Sequence, residues 1–164
     1  MQATVRAADR PGDLGWVVQA HGDLYAREHG WDTEFERLVL GVVAAYAADH
    51  DPAREACWVA ELDGRRVGCI MLVRSDAEST AKLRVLLVDP AARGHGLGRR
   101  LVRTCLDFAA AAGYRRVELW TTANLRAARH LYQEAGFALA DEQPQHRFGH
   151  DVVGQTWALE LPAA

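Results

Sequence analysis

Between Arg93 and Gly98 the chain reads Arg-Gly-His-Gly-Leu-Gly, placed after a run ending Val88-Asp89-Pro90 and before a segment with Leu101, Val102, Cys105, Leu106 and Phe108 on one face. Strand, glycine turn and helix in that order leave unpaired amide groups and the positive end of a helix dipole pointing at one spot, where an anion, foremost a phosphate, belongs. Gly94, Gly96 and Gly98 let the backbone approach the ligand, and Arg93, Arg99 and Arg100 can add charge-assisted contacts. Other phosphate loops fit worse. A dinucleotide fingerprint wants glycine where Arg99 stands, and a nucleotide-hydrolase loop wants Gly-Lys, which the chain lacks. The bland reading is a tight strand-to-helix turn with no ligand.

Further residues could carry chemistry. Tyr132 offers a phenol that is protonated at pH 7 and so can act as an acid, or it is simply a half-buried helical aromatic. Lys82 and Arg84, two apart on a strand, share a face and would attract a carboxylate, or they are simply a solvated strand face. Tyr25, Glu28, His29 and Trp31 cluster around Gly30, with Glu28 the first choice for a base, against the ordinary fate of a solvated helical glutamate. Glu118, His21, His146 and His150 are rivals for that role, as is a water chain. Asn124 is a cofactor contact or a helix cap. Trp120 lines a cleft or packs as a strand aromatic. His146 and His150 have the spacing of two ligands on a helix, but Phe148-Gly149 between them reads as a loop, and no metal is expected.

The elements that must position these residues alternate in type. Thr4 to Ala7 is a short strand; Asp13 caps a helix running towards Gly30; Thr33 and Glu36 have capping-box spacing before a second helix that ends ahead of Asp51-Pro52. Cys57 to Leu62 and Val67 to Val73 flank the hairpin signal Asp63-Gly64, and Ala81 to Asp89 is a third strand. After the glycine turn, a helix stops at Gly113, Val117 to Thr121 is a strand, Leu125 to Ala135 a helix, and Phe137 to Ala140 with Thr156 to Leu161 close the sheet. The expected fold class is α/β: one domain over residues 1–164, a mixed, mostly antiparallel sheet with flanking helices.

Composition narrows the class of function. The chain has 164 residues, 49% hydrophobic and 25% charged, which suits one globular domain with a full core. Nineteen basic against 22 acidic side chains leave a net charge of -3, which argues against a nucleic-acid partner held by charge. The longest mostly apolar stretch, Leu38 to Ala48, is too short to span a membrane, and residues 1–10 contain nothing like a signal peptide. Cys57, Cys69 and Cys105 are odd in number, widely spaced and set among apolar neighbours, as buried thiols of a reducing cytoplasm would be.

The glycine turn, followed at the right spacing by Glu118-Leu119-Trp120-Thr121, Asn124-Leu125-Arg126-Ala127 and Leu131-Tyr132-Gln133-Glu134-Ala135-Gly136-Phe137, resembles the GNAT acyl-CoA N-acyltransferase superfamily over nearly the whole chain. The stretches His21-Gly22 to Trp31 and Phe148-Gly149-His150-Asp151 resemble the branch found fused to MarR-type regulators, though no regulator domain is expected here. The resemblance implies acetyl-CoA as co-substrate, its pyrophosphate on Arg93, Gly94, His95, Gly96, Leu97, Gly98 and Arg99. It implies that the pantetheine arm lies along Leu86, Leu87 and Val88 and touches Asn124, with the Leu86 amide at the oxyanion. It implies a splayed parallel pair, Ala81–Asp89 and Arg116–Thr122, and Tyr132 as the acid for the leaving thiolate. Where some branches carry a glutamate base near the start of the strand before the loop, this chain has Lys82. With Arg84 beside it, an acid-bearing amine, such as an amino acid or dipeptide, is the expected acceptor, with Tyr25, Glu28, Trp31 and Trp120 around it. A non-catalytic acyl-CoA sensor acting with a separate regulator is the alternative. Exposed strand edges leave room for a homodimer.

Overall fold

The structure, a computed structural model, describes residues 2–163. Seven strands form one sheet: β1 (Ala3–Ala7), β2 (Ala56–Leu62), β3 (Arg65–Arg74), β4 (Thr80–Val88), β5 (Arg116–Thr122), β6 (Ala138–Arg147) and β7 (His150–Glu160). Their spatial order is β1-β2-β3-β4-β5-β7-β6, and among the described residues only β4 and β5 pair in parallel. Four helices cover it: α1 (Asp13–His29), α2 (Thr33–Ala48), α3 (Leu97–Ala111) and α4 (Arg126–Ala135).

β3 shows why both faces carry helices. Its centre, Cys69-Ile70-Met71-Leu72, is apolar without a break, and strand alternation sends Ile70 and Leu72 to one face and Cys69 and Met71 to the other. The first pair packs in the larger core with Leu97, Leu101 and Cys105 of α3. The second packs with Val17 and Leu24 of α1 and Val39 and Val43 of α2. The β2–β3 hairpin turns at Asp63 (φ 51°) and Gly64 (φ 81°), two left-handed residues that suit the twist of the strands they join.

Two caps differ from expectation. Gly12 stands at the N-cap of α1, and Asp13 lies fully buried inside the first turn, because its carboxylate is committed elsewhere. It accepts from Arg6 Nη1 at 2.8 Å, Arg66 Nε at 2.8 Å and the Arg10 amide at 2.9 Å, tying α1 to β1 and β3. Asp32, one residue ahead of Thr33, caps α2 through the Glu34 amide at 3.0 Å. Glu34 in turn accepts from the Phe148 amide at 2.6 Å and so holds the β6–β7 turn.

The closing hairpin is much longer than Phe137–Ala140 and Thr156–Leu161. β6 runs on through Asp141–Arg147, a polar, mostly exposed segment containing Pro144 that has no alternation to announce it. It is extended because β7, already paired to β5, offers its second edge from Ala158 to His150. Proline is tolerated there because β6 is the sheet edge.

Candidate active site

The parallel pairing of β4 and β5 lasts only from Thr80↔Arg116 to Lys82↔Glu118, after which the strands part. A β-bulge sits on β4 where they part. Met71 faces Arg84 and Cys69 faces Leu87, so Val85 and Leu86 together oppose Ile70 alone. Val85 takes φ 51°, costly for a β-branched residue, and its carbonyl accepts from Cys69 Sγ at 3.1 Å. Beyond the bulge the Asp89 amide donates to Val67 on β3 at 2.7 Å. Strand alternation therefore turns the backbone groups of Val88 and Leu86 away from β3 and into the gap. Leu87, between them, turns its backbone to β3 and its side chain into the core, so the structure does not bring it to the gap.

The gap opens into a cleft of about 480 Å³. Tyr25, Trp31, Lys82, Arg84, Trp120 and Tyr132, separated by as many as 107 positions in sequence, all line it. One wall is aromatic: Tyr25 stacks on Trp31 at 5.3 Å, Phe35 meets Tyr25 edge-on at 4.7 Å, and Trp31 lies 4.6 Å from Phe148. This wall joins two stretches that stood apart in sequence, Tyr25–Trp31 and the Phe148-Gly149 turn. His150 Nε2 also meets the Gly30 carbonyl at 3.0 Å.

Arg84 carries no ion pair among the described residues, and burial draws its pKa below the usual arginine value. Lys82, its neighbour on the cleft side, is likewise free of an ion pair among the described residues, although it stands in register with Glu118. Glu118 is engaged by Arg116 Nε at 2.8 Å. Tyr132 is 5% exposed, and burial pushes its phenol well above the usual tyrosine range, so it is protonated throughout the neutral region. Trp120 is 40% exposed and edges on Phe148 at 6.3 Å, which gives it a free face on the cleft.

At one end lies the glycine turn. Gly94 (φ 90°) and Gly96 (φ 71°) are left-handed, with open space where a Cβ would stand, and the first-turn amides of α3 follow directly. Leu97 turns its side chain into the core and leaves its backbone at the helix start, while His95 is exposed. Gly98 has an additional role: a Cβ there would come 2.7 Å from Leu131 Cδ1, so it lets α4 close on α3. Arg99 pairs with Glu134, and Arg100 is not available to an anion on the turn, since its Nη1 donates to the Ala3 carbonyl at 2.9 Å. A pyrophosphate fits this turn: an open, amide-lined hollow with Arg93 half-exposed beside it.

Glu28 is not brought to the cleft wall. Its carboxylate lies 3.7 Å from Arg93 Nη2 and 3.8 Å from His29 Nε2, at the mouth beside the glycine turn. Asn124 caps no helix, because Leu125 holds that position at the start of α4. It accepts from Thr122 Oγ1 at 2.6 Å and reaches His29 Nδ1 at 3.4 Å. The end of α1 thus touches both Arg93 of the glycine turn and Asn124 after β5. His146 pairs with Asp151 at 2.9 Å, away from His150's partner, and no three His, Cys, Asp or Glu side chains gather at one point among the described residues.

Sequence reasoning missed Gln145 and Arg147, which reach the cleft from the unforeseen extension of β6, and Thr156, which was expected in a closing strand but not at the cleft. It also ranked His21 only among rivals. His21 is 2% exposed, lines the cleft, and holds the Val17 carbonyl through Nδ1 at 2.8 Å.

The Acetyltransferase (GNAT) family model matches residues 18–137, a span that includes the bulge, the glycine turn and α4. The chain belongs to the GNAT acetyltransferase family. Among solved structures, an N-acetyltransferase from Staphylococcus aureus Mu50 superposes with a TM-score of 0.79 at 20% identity, covering 99% of this chain and 100% of that one. The yncA protein of Salmonella typhimurium, solved with its cofactor acetyl-CoA, gives 0.76 at 21% identity over 100% and 96% of the two chains. These likenesses establish the GNAT fold. Human N-acetylaspartate synthetase is 38% identical over 86 residues, 52% of this chain and 28% of that protein. The mycothiol acetyltransferase of Beutenbergia cavernae is 43% identical over 157 residues, 83% of this chain and 49% of that protein. The chain therefore spans less than half of either curated relative. No helix among the described residues of this GNAT domain is long and apolar enough to cross a membrane.

Proposed function

We propose that this GNAT domain transfers an acetyl group from acetyl-CoA to a small amine that also bears a carboxylate, by direct attack and without an acyl-enzyme. The observation that carries the acceptor class is Arg84: a cation drawn partly out of water, on the cleft wall, with no ion-pair partner among the described residues. A buried charge is costly without a partner, and a carboxylate on the incoming amine would be that partner. Lys82 adds a second cation on the same side. The similarity to N-acetylaspartate synthetases supports the same class of acceptor.

Acetyl-CoA supplies an activated thioester. Its pyrophosphate is assigned to Arg93, Gly94, Gly96 and the first amides of α3, and its pantetheine arm to the gap-facing backbones of Leu86 and Val88 and to Asn124. The Leu86 amide, presented by the bulge, steadies the negative oxygen that forms when the amine attacks the thioester carbonyl. The carbon–nitrogen bond forms, the carbon–sulfur bond breaks, and Tyr132 gives its phenolic proton to the departing thiolate. A phenol held protonated by burial is suited to that single donation. The cysteines play no part: all three are buried, and burial pushes Cys57 up to about 12 and Cys69 and Cys105 well above the usual thiol value, so none offers a thiolate.

The test is mass spectrometry of the chain mixed with acetyl-CoA and a pool of amino acids, dipeptides, polyamines, aminoglycosides and lysine peptides, reading the mass gain of each. Products confined to carboxylate-bearing amines are expected. Polyamine or aminoglycoside products would keep the enzyme and overturn the acceptor class. Bound acetyl-CoA without any product would replace the enzyme with a sensor of acyl-CoA.

A further inference from the structure

An amine that attacks a thioester must give up a proton, and the cleft holds few groups able to take it. Glu118 is engaged by Arg116, Glu28 lies at the mouth against Arg93, Lys82 and Arg84 are cations, and the phenols of Tyr25 and Tyr132 are protonated. His21 remains. It sits one helical turn after Val17 on α1, and because a carbonyl can only accept, the 2.8 Å contact with Val17 fixes the ring proton on Nδ1. The lone pair is therefore on Nε2.

That nitrogen is buried and has no hydrogen-bond partner among the described residues. Buried polar atoms are rarely left so, and one that is calls for a functional explanation. With Nδ1 committed to the helix, the His21 ring lies 5.8 and 6.1 Å from the rings of Tyr25 and Phe35 and lines the cleft. Gln145 Oε1, from β6, is a second buried acceptor without a partner on the same cleft. Two unpartnered acceptors and two cations without an ion pair thus sit on residues that line one cleft, a set that suits a molecule presenting both N–H groups and a carboxylate.

We infer that His21 is a catalytic residue whose Nε2 accepts the proton of the attacking amine. This rests on the acetyltransferase reading above. The neutral amine attacks, the new carbon–nitrogen bond leaves the nitrogen positively charged, and its proton passes to Nε2. As the carbon–sulfur bond breaks, the thiolate takes the Tyr132 proton; the imidazolium then gives its proton to water, and the tyrosinate regains one from water. The amine has lost one hydrogen, the thiol has gained one, and both side chains are restored. Burial lowers the His21 pKa to about 4, so the ring is wholly in its accepting form at neutral pH and gives the proton back readily.

The test compares the full chain with its His21→Phe variant, which keeps a buried ring but has neither nitrogen. Release of free thiol from acetyl-CoA is followed with the same amine pool as probe, and acetyl-CoA binding by calorimetry. The variant is expected to bind acetyl-CoA within about twofold of wild type and to lose about 100-fold in kcat. A kcat within about threefold of wild type overturns the assignment. Should the variant fail to fold, nitrogen-15 spectra of histidine-labelled wild type decide. Nε2 is expected at the position of a bare imine and to move when the amine pool is added; a proton on Nε2, or a signal indifferent to the pool, overturns it. A wild-type chain that releases no thiol refutes the acetyltransferase reading, whereas an active wild type with an equally active variant refutes His21 alone.

Discussion

Cys69 Sγ donates to the carbonyl of Val85 at 3.1 Å, and through that contact the centre of the sheet holds the strained residue that opens the active cleft. Because burial keeps the thiol protonated, it remains a donor across the neutral range. Replacing Cys69 with valine leaves the Val85 carbonyl without this donor, and urea titration is expected to show a loss of about 1–3 kcal/mol. The Cys69→Ser variant, whose hydroxyl can make the same bond, is expected to retain more of the stability and of the activity. Equal stabilities for serine and valine would show that the contact does not hold the bulge.

Tyr132 is the acid in the proposed reaction, and its phenol donates late, after the amine has bound. The Tyr132→Phe variant is therefore expected to lose about 100-fold in kcat while acetyl-CoA affinity stays within about twofold, because the ring still packs edge-on to Phe137 at 5.8 Å. Wild-type turnover by this variant would remove Tyr132 from the mechanism.

Arg84 and Lys82 are assigned to the acceptor, not to the cofactor. Arg84→Ala is expected to raise the acceptor KM about tenfold or more and leave the acetyl-CoA KM unchanged, with Lys82→Ala, on an exposed residue, doing the same more weakly. Ionic strength should mimic the Lys82 change more than the Arg84 change, since exposed charges are screened and half-buried ones less so. Unchanged acceptor constants in both variants would return these two residues to the role of a plain strand face.

Much of this arrangement was legible in the sequence, for reasons visible in particular residues. The glycine turn, the β2–β3 hairpin at Asp63-Gly64 and the helix stops at Gly30, Gly113 and Gly136 are local signals, since each depends on a backbone conformation that glycine adopts freely. The parting of β4 and β5 followed from the family resemblance and is present. What stayed hidden is non-local. β6 is a strand only because β7 pairs with it, and with β6 went Gln145 and Arg147. Asp13 and Thr33 had the types of capping residues, but Asp13 was taken by Arg6 and Arg66, and Asp32 reached the α2 amides first. The position of Glu28 depends on where the end of α1 falls relative to Arg93, which no spacing along the chain encodes. His21 showed one ordinary histidine in a helix, and its free nitrogen became visible only with its partners in place.

Asp13 joins α1 to the sheet far from the chemistry, and its stability signature has a definite sign. Arg6 beside it, helped by the Arg10 amide and Arg66, holds its carboxyl well below the ordinary 3.8, against the opposing effect of burial. A group whose folded pKa is depressed contributes stability that is fully present above its unfolded value and is lost as pH falls through the folded one. Asp13→Asn keeps the shape but leaves the Arg6 guanidinium, 15% exposed, with Glu61 at 3.0 Å as its one carboxylate among the described residues, and is expected to cost about 3 kcal/mol at pH 7. Below pH 4 the Asp13 carboxyl takes up a proton in the unfolded chain while it stays ionised in the folded one, so the gap between the two proteins should narrow as pH falls. Thermal melts of both at pH 7, 4 and 2.5 check this. A gap that stays constant down to pH 2.5 would mean that Asp13 acts through packing and hydrogen bonds the amide cannot copy, and that its charge contributes nothing to the joint between α1 and the sheet.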